Sequence, residues 1–363
     1  MISLSSISVS ARKFILLIVT ASIVFLLFQA SFQNGNYQLS SLARLSGLDP
    51  NATLGVAEKI YVLSLPRRTD RRREMEKLKK ALGLRWKYIN ALDMKTELVE
   101  NILDSVRAIR ATNNEPFIWP ADTPPPDEDL SKWSPGYPPL LTKVPSSRPP
   151  EPMLCATNNN SVKFYEPGLP EFLILTPARV ACWYSHLSVI QTVANDKSLK
   201  DNDTVIVLED DVDMERDIHA RLKHVWTYLP NEWDIVYLGH CWSDEAFHPA
   251  LNAHDNTTYY NGSVTYIHPS KNPACNHGYA LTRSGARRIL VHLRYPPFAY
   301  SRAIDLAITW LIRSNRIKSF SLYPSIVIQR KTSNSDIMPG TGSDWKDTLV
   351  NGVFSVSEKD APK

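Results

Sequence analysis

The chain has 363 residues, enough for one large domain or two small ones. Hydrophobic residues at 43% and charged residues at 21% describe a globular protein rather than a disordered one. The net charge of +4 is mild and is not gathered into one basic block, so nucleic acid is not an expected partner.

Residues 1–13 read as a short cytosolic tail. Phe14 to Ala30 is a 17-residue stretch without charge, which as a helix covers roughly 25 Å, the short end for a bilayer span. Arg12 and Lys13 precede it and the next basic residue is Arg44, an asymmetry that keeps the N-terminus in the cytosol. A cleaved signal peptide is the competing reading. Its best cut follows Ala30, but Phe28 three residues before that cut is too bulky, so the signal anchor is preferred. A short span suits ER or Golgi membranes. The chain is therefore expected to be a single-pass type II protein with its bulk in the lumen. Sequons at Asn51, Asn159, Asn202, Asn256 and Asn261 agree with that placement. In an oxidising lumen Cys155, Cys182, Cys241 and Cys275 can form up to two disulfides or stay as buried thiols. Their spacing does not suggest zinc.

Residues 31–57 are Ser-, Asn- and Gln-rich and read as a stem. A strand is predicted over Lys59–Leu65. A helix follows, with Met75, Leu78 and Leu82 at helical spacing and Gly83 at its stop. "RWKYINALD" is a second strand. Strand, helix, strand opens an α/β fold with parallel pairing. Twelve prolines between Pro116 and Pro152 interrupt this rhythm, and no ladder or long helix can form there. Residues 113–152 are read as an insertion within a domain spanning 58–340, in preference to a linker, because one strand–helix unit before them is too little for a domain. Thr176 and Pro177 open a helix ending near Asp196. "TVIVLED" and "WDIVYLGH" are strands, and "HGYALTRSGARRILVHL" is strand, turn, helix. "AIDLAITWLIRSN" is an amphipathic helix, "SFSLYPSIVIQ" one late strand, and residues 341–363 a tail. The chain has no GxGxxG motif or P-loop.

"TVIVLEDDVDMERD", residues 204–217, runs a buried strand straight into Glu209, Asp210, Asp211 and Asp213. Clustered carboxylates repel one another and lose solvation beside such a strand. Strand alternation places Glu209, Asp211 and Asp213 on one face and Asp210 on the other. Hard oxygen ligands at the carboxyl end of a strand suit Mg²⁺ or Mn²⁺, and the same ion can bind a diphosphate. The bland alternative is a solvated acidic turn.

Five blocks in order resemble glycosyltransferase family 25, which includes bacterial lipooligosaccharide and animal collagen galactosyltransferases. They are "KIYVLSLPRRTDRR", "ARVACWYSHLSVIQ", "VIVLEDDV", "WDIVYLGH" with "HGYALTRSGARRIL", and "AIDLAITWLI" with "VIQRKTSNSDI". The resemblance implies a GT-A-like α/β fold with a mixed, mostly parallel central sheet, a nucleotide-sugar donor such as a UDP-sugar, a divalent metal and inversion at the sugar carbon. Glu209, Asp210 and Asp211 match the family's acidic triplet, whereas Asp213 is not a family position. Arg68, Asp70 and Arg71 match the opening motif and are expected to meet the nucleotide or its diphosphate; a solvated helix start is the alternative. Ser185 and His186 match the Ser-His pair, Asp305 an acidic position in a late helix, and Ser335 with Asp336 the Ser-Asp-Ile block. Ala178 and Ala181 stand where the family often has glycine.

The resulting expectation is hexose transfer, with galactose first, from a UDP-sugar to a glycan, lipid-linked or protein hydroxyl. Asp211 and Glu209 would hold Mn²⁺ or Mg²⁺, with Asp210 assisting. Arg68 and Arg71 would add positive charge, and Asp305 or Asp336 would be the base. His186 would meet donor or acceptor. A metal-dependent phosphoesterase is disfavoured by the scattered histidines. A silent lumenal binding protein of the same fold is disfavoured by the intact triplet.

Overall fold

The computed structural model describes residues 50–112, 119, 151–156, 161–162, 165–330 and 349–354. The expected tail, anchor and most of the stem lie outside them, as do most of the Pro-rich insertion, Ser335, Asp336 and the chain beyond 354. Among the described residues no helix is long and apolar enough to cross a membrane. The fold belongs to the unit Thr53–Lys363.

The central sheet has seven strands in the order β2-β1-β3-β7-β5-β8-β6. β1 (Lys59–Ser64) pairs in parallel with both β2 (Lys87–Asn90) and β3 (Thr204–Glu209). β5 (Ile235–Cys241) is parallel to β8 (Ser319–Tyr323). β7 (Ala274–Thr282) lies antiparallel between β3 and β5, and β6 (Tyr266–Pro269) runs antiparallel along β8. Five strands thus point one way and two the other. The sheet is mixed but mostly parallel, an α/β arrangement consistent with a GT-A-like glycosyltransferase.

Strand alternation divides the core in two. Tyr61, Leu63, Val205 and Val207 face one cluster, and Ile60, Val62, Ile206 and Leu208 face the other. The first is covered by α2 (Glu97–Thr112), α3 (Pro177–Asn195), α5 (Arg283–Leu293) and α6 (Ile304–Arg313). The second is covered by α1 (Thr69–Ala81), through Met75 and Leu78, and by α4 (Ile218–Val225). Local signals set the helix ends. The Thr176 hydroxyl accepts from the Arg179 amide at 3.3 Å with Pro177 in the first turn, and the Thr282 hydroxyl accepts from the Gly285 amide at 2.9 Å.

"SFSLYPSIVIQ" is not one strand but two. Pro324 has no N–H with which to continue the ladder, so β8 stops at Tyr323 and β9 (Val327–Gln329) leaves the sheet. It pairs instead with β4 (Val212–Met214), just beyond the acidic run. β9 passes so close to β5 that a Cβ on Gly239 would stand 1.8 Å from the Val327 carbonyl oxygen and 2.4 Å from His277 Nε2. Glycine at 239 is required for that approach.

Cys241 and Cys275 form a disulfide, while Cys155 and Cys182 are free thiols. Asn202, Asn256 and Asn261 of the sequons are exposed.

Gly239→Ala is expected to cost about 3 kcal/mol or more, since backbone blocks the added methyl; urea denaturation checks it. A second expectation concerns Glu245, which is 1% exposed and accepts from the Lys271 amide at 2.7 Å. Burial pushes its carboxyl up to about 7 from an ordinary 4.5. Between those values the unfolded chain has released the proton that the folded chain still holds. Stability therefore falls as pH rises from about 4.5 to about 7 and levels off above, by about 3 kcal/mol from this group. Glu245→Gln should flatten that part of a stability–pH curve.

Candidate active site at the carboxyl edge of the sheet

The chain steps from β1 to β2 on one side and later to β3 on the other. The order reverses at β1, and a crevice opens beyond the carboxyl ends of β1 and β3. An open cleft lies there, with about 710 Å³ of space when its solvent-filled mouth is included. Leu63, Leu65, Leu92, Met94 and Ala181 give it an apolar wall, and Glu209, Asp210, Asp211, Arg67, Arg71 and Gln329 give it a charged and polar one.

Alternation decides where the carboxylates go. Glu209 continues the face of Val205 and Val207, towards α3, and His186 Nε2 lies 3.3 Å from its Oε1. The other ring nitrogen, Nδ1, is 3.0 Å from the Tyr279 hydroxyl. The consistent assignment has Tyr279 donating to Nδ1 and Nε2–H donating to Glu209. Asp210 continues the opposite face, towards α1, and takes a bond from Arg71 Nη1 at 3.0 Å. The strand ends here, so Asp211 does not follow the alternation outward. It shares the same Arg71 Nη1 at 3.0 Å and accepts from Gln329 Nε2 at 3.3 Å, while that amide also reaches Glu209 at 3.4 Å.

The electrostatics follow from burial. Burial and the Glu209 charge push the Asp211 carboxyl up to about 7 against the pull of Arg71. Burial also raises Asp210, again against Arg71. Glu209 is lowered: burial works upward, but the His186 hydrogen bond and the electrostatic pull of the nearby His186, His277 and Arg71 side chains outweigh it. Arg71 is raised, because the two aspartates outweigh its own burial. Three carboxylates against one guanidinium in direct contact leave negative charge in excess.

The structure thus brings together Glu209, Asp210, Asp211, Arg71 and His186. Arg68 and Asp70 pair with each other at 3.0 Å and do not line the cavity; the Arg68 bonds bring the Asp70 carboxyl down to about 2. Asp305 does not line it either. Its Oδ2 accepts from the Cys275 amide at 3.1 Å and its Oδ1 from the Leu306 amide at 2.9 Å. It acts electrostatically on Cys182, a lining residue that also feels Glu209. Asp336 lies outside the described residues. Asp213 is buried and serves the backbone: it accepts from the amides of Met214 at 2.7 Å, Val353 at 3.1 Å and Phe354 at 3.2 Å.

Arg67, Arg72, Gln329 and Ser185 carry parts that sequence reasoning did not assign. Arg67 lines the mouth and pairs with Asp93 at 2.5 Å. Arg72 joins the ends of β1 and β2, donating to Ser64 Oγ at 3.0 Å and Asn90 Oδ1 at 2.9 Å. Ser185 Oγ accepts from the Leu92 amide at 2.9 Å and so fixes the apolar wall. Gln329 stands in a block that carries the family resemblance, but an uncharged amide after a strand gives no spacing signal. Among the described residues, Cys241, Cys275 and His277 converge within 4.8 Å as ligand-type groups. Their sulfurs are joined in the disulfide and cannot bind a metal as thiolates.

A family model described as glycosyltransferase family 25 (LPS biosynthesis protein) matches residues 57–305, more than half of the chain. The comparison with individual curated proteins returns no match. The chain belongs to glycosyltransferase family 25, and the acidic triplet and every lining residue of the crevice except Gln329 fall inside the matched region.

Removing Arg71 leaves two buried carboxylates without their cation. Arg71→Met is expected to lower folding stability by about 3–5 kcal/mol, measured by urea denaturation.

Proposed function

We propose that the protein is a metal-dependent, inverting hexosyltransferase that moves galactose from a UDP-sugar to an acceptor hydroxyl in the secretory pathway. In this reading it is held as a type II protein in the Golgi or ER membrane, with the catalytic unit in the lumen. One observation carries the catalytic part: the Glu209–Asp210–Asp211 cluster lines the cleft at the β1/β3 switch point and retains negative charge after Arg71 is counted.

The donor set fits a divalent cation. It consists of hard carboxylate oxygens, and the raised Asp211 carboxyl marks a site short of positive charge. Asp211 and Glu209, with Asp210 beside them, would hold Mn²⁺ or Mg²⁺, which when bound neutralises the leaving diphosphate. The remaining steps belong to the chain's own residues. The apolar wall of Leu63, Leu92 and Met94 takes the base of the nucleotide and excludes water from it. Arg67 stands at the mouth, where it adds positive charge for the diphosphate. His186 and Gln329 hold Glu209 in orientation. Asp305 and Asp336 are the two candidates for the base that takes the acceptor proton as the sugar–oxygen bond forms and the bond to UDP breaks.

Asp211→Asn removes one buried like charge, so the variant is expected to fold with undiminished stability. It is expected to lose turnover by at least about a hundredfold and to bind UDP with Mn²⁺ more weakly in calorimetry. A folded Asp211→Asn protein that turns over UDP-galactose at the wild-type rate would sink the metal role.

A further inference from the structure

Cys241 ends β5, and Cys275 lies at the start of β7, 34 residues later. No Cys-x-x-Cys spacing announces them as partners. Antiparallel pairing brings them together, setting Cys241 opposite Ala274, the neighbour of Cys275. The two α-carbons stand 5.5 Å apart and the sulfurs are joined.

A third side chain stands with them. A ring nitrogen of His277 and the two sulfurs all lie within 4.8 Å of one another. A disulfide between two strands needs no imidazole beside it, yet His277 is only 2% exposed there. Its Nε2 lies 3.1 Å from the Val327 carbonyl oxygen, a bond that puts the proton on Nε2 and a lone pair on Nδ1. Metal-binding histidines are commonly held in this way, with the outer N–H donating to a backbone carbonyl. Cys241 is buried but Cys275 only half-buried, so a reductant and an ion have a way in.

We infer that these three residues form a redox-dependent metal site apart from the acidic cleft: once the disulfide is reduced, Cys241, Cys275 and His277 bind Zn²⁺. A dithiol supplies the two electrons. The S–S bond breaks, each sulfur takes up a proton, and the dithiol closes to its own disulfide. On ligation each thiol releases its proton and donates a sulfur lone pair to the ion. With Zn–S bonds of about 2.3 Å, tetrahedral geometry sets the two sulfurs about 3.8 Å apart, inside the 4.8 Å that already encloses the set. Three protein ligands leave a fourth position for water.

Softness selects the occupant. Two thiolates and an imidazole favour Zn²⁺ over the Mg²⁺ or Mn²⁺ that carboxylates suit, so the cleft and this cluster take different ions. The consequence is structural. β5 and β7 are tied here, where their register shifts, by a covalent bond under oxidising conditions and by the ion under reducing ones. The inference does not depend on glycosyl transfer.

The test uses the full-length chain, reduced with dithiothreitol and desalted without oxygen, with Co²⁺ as the spectroscopic stand-in for Zn²⁺. Co²⁺ is expected to bind reduced wild type with a thiolate-to-cobalt charge-transfer band that Zn²⁺ bleaches. The oxidised chain should give no band. Replacing the other two thiols, Cys155→Ser with Cys182→Ser, should leave the band intact. Cys241→Ser should weaken binding at least about a hundredfold and His277→Gln at least about tenfold. Zn²⁺ should raise the melting temperature of reduced wild type more than that of reduced Cys241→Ser. Co²⁺ that binds reduced wild type without a charge-transfer band sits on carboxylates and overturns the inference. A band that persists unchanged in Cys241→Ser overturns it too, as does a reduced wild type whose melting Zn²⁺ does not raise. Unchanged affinity in a folded His277→Gln protein overturns the three-ligand site.

Discussion

Arg71 Nη1 lies 3.0 Å from both Asp210 and Asp211, and that shared contact is the hinge of the carboxyl edge. Three carboxylates in succession at the end of a buried strand repel one another and lose their water. The fold manages this from two sides. α1 brings a guanidinium to one face of β3, and α3 brings His186 to the other. Each helix can do so because its apolar residues pack on that face of the sheet. Core packing and site electrostatics are therefore one arrangement, and loosening either helix exposes the charge imbalance.

The same economy governs the segment after the triplet. Asp213 and Glu215 are buried acids, but both serve backbone amides. Glu215 accepts from Val350 at 2.7 Å and Asn351 at 2.8 Å, next to the Asp213 contacts with Val353 and Phe354. They tie residues 350–354 beneath the β4–β9 pair. β9 ends in Gln329, which reaches Glu209 and Asp211, and the Arg330 amide donates to the Asp211 carbonyl at 2.7 Å. The C-terminal part of the chain thus supports the cleft through β9. Carboxylates a few residues apart in sequence divide into those that face a cavity and those that hold a chain end.

Membership of family 25 supports glycosyl transfer as the class of reaction. The β5 end of the same sheet edge is closely built as well. The disulfide holds β5 against β7 where their register shifts. Gly239 lets β9 cross at backbone contact, and Trp242 projects the end of β5 into solvent.

Local patterns carried much of this protein in the sequence. β1, α1, α3 and β3 are written in apolar periodicity, in Thr176 with Pro177, and in Gly83, because those signals act within one or two turns of chain. The acidic run was legible as a set of hard oxygen ligands, and the resemblance restored Asp210 to it, set Asp213 aside and added Arg71. Neighbours brought together by pairing were not legible. Period-two alternation grouped Glu209 with Asp211 and Asp213, but the strand ends after Glu209, and only the packed structure shows Asp211 turning to Arg71 while Asp213 turns to backbone. Gln329 and Arg72 became visible only through contact, since neither forms a spaced pattern with its partners. Four cysteines permitted several disulfides, and the antiparallel insertion of β7 beside β5 chose Cys241 with Cys275. The sequence by itself determined the elements and the chemical types, which depend on near neighbours along the chain. The tertiary structure alone decided which charges meet, because that depends on which face of a strand another helix covers.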